Sequence, residues 1–140
     1  MPRPRFDKGF TILELLVVVA VIAILGAIAY PSYLSYTIRG KRSEGRALLM
    51  DTAARLERYY SDNNKYATAD DTLPSGAGIT TTSENGYYTV SITTSSPYQT
   101  FTLKATPATF TDADCGNLTL TQTGDKGMSG SASLKDCWGK

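Results

Sequence analysis

Residues 8–25 read KGFTILELLVVVAVIAIL, and the fold turns on how they are understood. From Leu15 to Tyr30 no side chain is charged, and from Phe10 onward the only polar ones before Tyr30 are Thr11 and Glu14. As an α-helix rising about 1.5 Å per residue, this stretch reaches roughly 30 Å, the thickness of a bilayer core. A carboxylate inside hydrocarbon is costly unless something compensates it. Glu14, near the start of the span, therefore needs an explanation.

The rest of the composition narrows the possibilities. A chain of 140 residues has room for one domain and one membrane segment. Its formal net charge is +1, but the charge is unevenly spread. Arg3, Arg5 and Lys8 precede the span against a single acid, Asp7. From Ser61 onward five lysines (65, 104, 126, 135, 140) face eight acids (62, 70, 71, 84, 112, 114, 125, 136). That balance argues against nucleic acid as a partner. The chain has no histidine, which counts against triad hydrolysis, most zinc chemistry and pH switching. Cys115 and Cys137 lie late in a Thr/Ser/Gly-rich region, and behind an export signal such a pair reads as one disulfide.

Three readings of the N-terminus compete. In a plain signal anchor, the basic stub stays inside and the bulk of the chain outside. Arg39, Lys41, Arg42 and Arg46 sit beyond the far end, however, so the positive-inside rule is close to a tie. In a secretory signal peptide, Ala27-Ile28-Ala29 offers a small-residue site and cleavage follows Ala29, although the apolar region is long and Glu14 sits badly in it.

The third reading accounts for Glu14. Gly9, then Phe10, then an acid just over one turn on resembles the signature of type IV prepilins. The nine-residue leader and Phe10 resemble the type IVa class in particular. The resemblance implies that a prepilin peptidase cuts between Gly9 and Phe10 and methylates the new amine of Phe10. The subunit then waits in the inner membrane, globular part in the periplasm, until an assembly platform draws it into an extracellular filament of other major and minor pilins. A positive amine at Phe10 gives Glu14 a partner on a neighbouring helix, and in low dielectric that attraction far exceeds its value in water. An unpaired Glu14 is penalised and a paired one is not, so the acid fixes the axial register between subunits. Pro31 falls where the family breaks its helix. Many relatives carry a glycine where this chain has Ala23; here Gly26 follows about one turn later, which moves the expected soft stretch to 26–31.

Beyond Pro31 the chain turns amphipathic. Leu49, Ala53, Leu56 and Tyr60 recur at spacings of four, three and four, with Leu48, Thr52 and Tyr59 beside them, while Arg46, Asp51, Arg55 and Arg58 lie on the other side. Pro31 is expected to kink this helix, and Gly40 and Gly45 to weaken it. Ser61 to Asn64 reads as its stop. One helix thus spans roughly 10–60. Arg39, Lys41 and Arg42 read as solvated charges just outside a membrane.

Residues 61–86, with Pro74, Gly76, Gly78 and Gly86, read as an irregular connection. Tyr88, Val90 and Ile92 then alternate with polar residues, as do Phe101, Leu103 and Ala105, and then Leu118 and Leu120. Ser95-Ser96-Pro97 separates the first two strands, a turn is expected over 124–127, and a short fourth strand near 131–134. Strands this close together imply an antiparallel meander laid on the Leu49/Leu56 stripe. A disulfide from Cys115 to Cys137 closes a loop with few apolar candidates (Leu118, Leu120, Met128, Leu134). It would contribute about 3 kcal/mol in the chain-entropy account.

The fold class is therefore α+β. A long N-terminal α-helix, half transmembrane and half amphipathic, packs on an antiparallel sheet of about four strands, with a disulfide-bounded C-terminal segment. It divides into a leader (1–9), an apolar helix (10–31) and a globular domain (32–140), the last made of helix (32–60), connection (61–86) and sheet (87–140). Its layout, with ALLMDTAARLERYYSDNNKYA, ENGYYTVSI, CGNLTLTQTGDKG and DCWGK, resembles the PilE-type minor pilins. The resemblance implies a structural subunit, not an enzyme, with no cofactor and no metal site, serving motility, adhesion or DNA uptake. Related secretion pseudopilins bind calcium in a C-terminal loop but generally lack this disulfide, and Asp70-Asp71 and Asp112/Asp114 supply too few oxygens. A major pilin and a DNA-binding uptake pilin remain alternatives. For the latter, Tyr87, Tyr88, Tyr98, Phe101 and Trp138 are the stacking candidates, Trp138 foremost.

Overall fold

The structure is a computed structural model that describes residues 9–139. Leader residues 1–8 lie outside the described range. Helix α1 spans Ile12–Asn63, and the chain divides after Thr37 into two units, each described by itself.

In the first unit, α1 begins one residue after Thr11, whose Oγ1 accepts the backbone N–H of Glu14 at 3.2 Å. That is an N-cap of the Thr-x-x-Glu type, which places an acid in the first helical turn where free N–H groups favour negative charge. The apolar side chains from Ile12 to Leu25 are all exposed, and the helix contains a stretch of mean hydropathy 3.0 that is long enough to cross a membrane. Its assignment as helix runs unbroken through Pro31.

In the second unit, the remainder of α1 lies on a four-stranded antiparallel sheet of order β1-β2-β3-β4. The strands are β1 (Tyr88–Thr93), β2 (Thr102–Pro107), β3 (Leu118–Thr121) and β4 (Lys126–Met128), and a short helix α2 (Leu134–Trp138) follows. Pairing is regular: Val90 faces Ala105, Ile92 faces Leu103, and Leu103 faces Leu120. The inward set Tyr88, Val90, Ile92, Phe101, Leu103, Ala105, Leu118 and Leu120 is buried against Leu48, Leu49 and Leu56 of α1, as period two against a helical stripe requires. Outward positions are mostly threonine and serine. Both sheet edges are dressed. Ser83 and Val90 exchange backbone bonds with Tyr88 and Thr81 on the β1 side, and Asp71 brackets Thr94. On the β4 side Trp138 Nε1 donates to the Gly127 carbonyl at 2.9 Å. Covered edges do not recruit stray strands.

Four expectations need correction. The helix continues past Tyr60 to Asn63, where Asn64 takes a left-handed φ of 55° and closes it with a bond to the Tyr60 carbonyl. The turn lies earlier than 124–127, because Thr121, Thr123 and Asp125 tie it together through side-chain bonds and β4 begins at Lys126. The segment near 131–134 is not a strand: Ser133 caps α2 by accepting the Asp136 N–H at 3.1 Å. Leu134 stays 45% exposed and adds nothing to the core.

Candidate functional site

Two sets of residues carry the functional expectations, one in each unit. At the N-terminus Gly9 and Phe10 lie outside the helix, and Phe10 is 82% exposed. Glu14 follows in the first turn of α1, its N–H held by Thr11. The importance of Thr11 escaped the sequence reading, although the Thr-x-x-Glu spacing was there to be seen.

In the globular unit the structure joins Cys115 to Cys137 in a disulfide with Cα atoms 5.6 Å apart. Around it lies an ion pair that the sequence did not suggest. Arg42, read as a solvated charge, is buried: its Nε and Nη2 donate to the two carboxylate oxygens of Asp112 at 2.6 Å each, and Nη2 also reaches Asp114 at 3.1 Å. Asp112 Oδ1 in turn accepts the backbone N–H of Cys115 at 3.1 Å. The arginine of α1 thus fixes the turn that carries one half of the disulfide. Burial alone would raise the Asp112 carboxyl; the bonds from Arg42 and the Cys115 N–H outweigh it and hold the group below the usual carboxylate range. Arg42 is raised in return, chiefly by its bond to Asp112. The Tyr88 hydroxyl is buried near this pair with no hydrogen-bond partner among the described residues, and burial pushes it up to about 12.

Of the acids considered for a cation, Asp112 is paired with Arg42, and Asp71 accepts the Thr94 N–H at 2.9 Å. Among the aromatic residues, Tyr88 and Phe101 are core, and Trp138 is only 5% exposed with Lys126 Nζ 5.5 Å above its ring. Trp138 therefore cannot serve as an open stacking platform. Lys41 sits between the Tyr87 and Phe110 rings, at 4.9 and 4.7 Å from their centroids. Arg39, Lys126 and Lys135 are the exposed cations nearest the roles considered above.

Residues 4–30 match the prokaryotic N-terminal methylation motif. The fimbrial protein EcpC of Eikenella corrodens is 40% identical over 91 residues, covering 65% of this chain and 56% of that protein. The type IV major pilin protein PilE1 of Neisseria gonorrhoeae is 31% identical over 99 residues, covering 71% and 45% respectively. The chain spans about half the length of the curated relatives it matches. A solved type IV pilin from Shewanella oneidensis shares 30% identity over 63% of this chain and 88% of its own, with a TM-score of 0.47. Residues 31–119, the larger part of the chain, match the family described as type IV minor pilin ComP, DNA uptake sequence receptor, and the chain belongs to that family of type IV pilins.

Proposed function

We propose that this chain is a structural, non-catalytic subunit of a type IV pilus, a minor pilin that assembles with other pilins. It is made with a leader that the prepilin peptidase removes between Gly9 and Phe10, and the new amine of Phe10 is methylated. The apolar part of α1 then holds the subunit in the inner membrane with the globular unit on the periplasmic side. The assembly platform next transfers it to the filament, where Glu14 pairs with a Phe10 amine of a neighbour and sets the register, and where the helix loosens near Gly26 and Pro31. The observation that carries this reading is the match of residues 4–30 to the methylation motif, on a segment whose described apolar side chains are exposed. Glu14→Ala tests it. The variant is expected to be processed and to sit in the membrane, yet to enter filaments poorly; normal incorporation would remove the register role.

A second reading, a receptor for DNA during uptake, is favoured by the description of the family that residues 31–119 match. The charge balance after Ser61 points the other way, so binding would have to rest on a few exposed cations such as Lys126 and Lys135. Retention of duplex DNA by the purified chain, measured against salt, decides it. Binding that falls with salt, with a slope reduced by about one per lysine in Lys126→Ala or Lys135→Ala, supports the receptor. Salt-independent retention would argue against it.

A further inference from the structure

Within the globular unit, α1 buries one face and leaves the opposite one open. Arg42, Gly45, Leu48, Leu49, Thr52 and Leu56 are buried. The open face carries Gly40, Ser43, Ala47, Met50 and Ala54, all exposed and uncharged. Their spacing alternates three and four, the period of a seam between two helices. Met50, 49% exposed, is one of only two large apolar side chains left open among the described residues of this unit.

Gly40 belongs to the same face and is not explained by the fold. A glycine inside a helix is unfavourable relative to alanine. Gly45 has its reason, because a Cβ there would lie 3.0 Å from the Tyr88 ring. A Cβ on Gly40 would meet nothing within 4 Å. The backbone at Gly40 is bare on the side where a second helix would approach.

The flanking charges name the occupant. With Gly40, Ala47 and Ala54 as the a positions and Ser43 and Met50 as d, Arg39 and Arg46 fall at g, and Glu44 and Asp51 at e. In a parallel pair in register, each g side chain faces the e side chain five positions further along the other helix. Arg39 then meets Glu44, and Arg46 meets Asp51, twice over by symmetry. An antiparallel pair would set arginine against arginine and acid against acid. Within the chain Glu44 accepts from Asn85 and Asp51 from Arg55, both at 2.7 Å. A carboxylate offers about four acceptor positions, so each can take a second donor.

We propose that two copies of this chain pair in parallel along this face of α1 while both are anchored, before either enters a filament. The pairing rests on the anchored reading above, since a shared membrane orientation is what makes the two helices parallel. Anchoring also raises the effective concentration, so a seam of small side chains suffices. Those small side chains in turn let the backbones approach closely.

The test uses the full-length chain in membranes of cells that lack the other pilins. Ala47→Cys, on the seam, is oxidised with copper phenanthroline beside Thr123→Cys, on an exposed turn of the sheet. The expected result is a cross-linked homodimer from Ala47→Cys and several-fold less from Thr123→Cys. Arg39→Glu in the Ala47→Cys background should lower the yield about threefold, and adding Glu44→Arg should restore it. Equal yields from the two cysteines, or a charge swap that fails to restore, would overturn the pairing while leaving the pilin reading intact. Recovery of the chain outside the membrane fraction would overturn the anchored reading and the pairing with it.

Discussion

The two parts of α1 solve different problems with similar residues. Before Thr37 its leucines, isoleucines and valines are all exposed among the described residues. After Ile38 the helix spends only Leu48, Leu49 and Leu56 on a core, and Leu49 is 0% exposed. The first stretch is apolar on every side, which suits lipid or a bundle of like helices; the second has one apolar stripe, which suits a sheet. The same contrast separates two charges. Glu14 makes no ion pair among the described residues, whereas Arg42 is held by Asp112 and Asp114 within the fold. The charge of Arg42 is used at home, and the role proposed for Glu14 needs a partner subunit.

The difference can be broken most sharply at the charge used at home. Asp112→Ala leaves the buried Arg42 only its longer bond to Asp114 and is expected to cost about 3 kcal/mol, read by chemical denaturation of the full chain in detergent. Acid should act in the same direction. Because the folded Asp112 carboxyl lies below its ordinary value, its share of stability is present above about pH 4 and is lost as the pH falls through the lower folded value. A wild-type chain whose acid limb matches that of Asp112→Asn would contradict this.

Next in size is a matched pair of truncations. Leu49→Ala should cost about 3 kcal/mol because it opens a cavity in a packed core, while Leu16→Ala, in the exposed stretch, should stay within about 0.5 kcal/mol in the same assay. Comparable losses would mean that the first stretch is packed against its own chain.

The glycines divide in the same way. Gly45→Ala drives a Cβ to 3.0 Å from a fully buried ring and should cost about 1–2 kcal/mol. Gly40→Ala meets nothing and should stabilise the isolated subunit by about 0.5–1 kcal/mol. Thermal unfolding of both variants checks the opposite signs. Smallest of all is Tyr88→Phe, which removes a buried hydroxyl that has no partner and should be close to neutral below pH 10. It should flatten the loss of stability expected between pH 10 and about 12, where the unfolded tyrosine ionises before the folded one. An unchanged alkaline limb would show that Tyr88 does not set it.

Legibility followed the periodicity of the signal. The span, the amphipathic stripe and the three longer strands were readable because their apolar residues repeat at a fixed interval. Strand β4 has three residues with glycine at its centre, Lys126-Gly127-Met128, and so has no alternation to detect. The short helix α2 has five residues, too few for a helical repeat to show. Arg42 was misread because its neighbours Arg39 and Lys41 are exposed or half-buried, and the acid that claims it lies 70 positions away. No local pattern reports a contact at that distance. The motif at the N-terminus was the easiest to single out, since Gly9, Phe10 and Glu14 lie close together along the chain.

The most direct test of the central claim, that the N-terminus is a pilin anchor, is the intact mass and N-terminal fragmentation of the chain recovered from host membranes. The account predicts a chain that begins at a methylated Phe10 and is lighter by the hydrogens lost to the Cys115–Cys137 bond. A chain beginning at Tyr30, or one that retains Met1, would contradict it and leave Glu14 without a role.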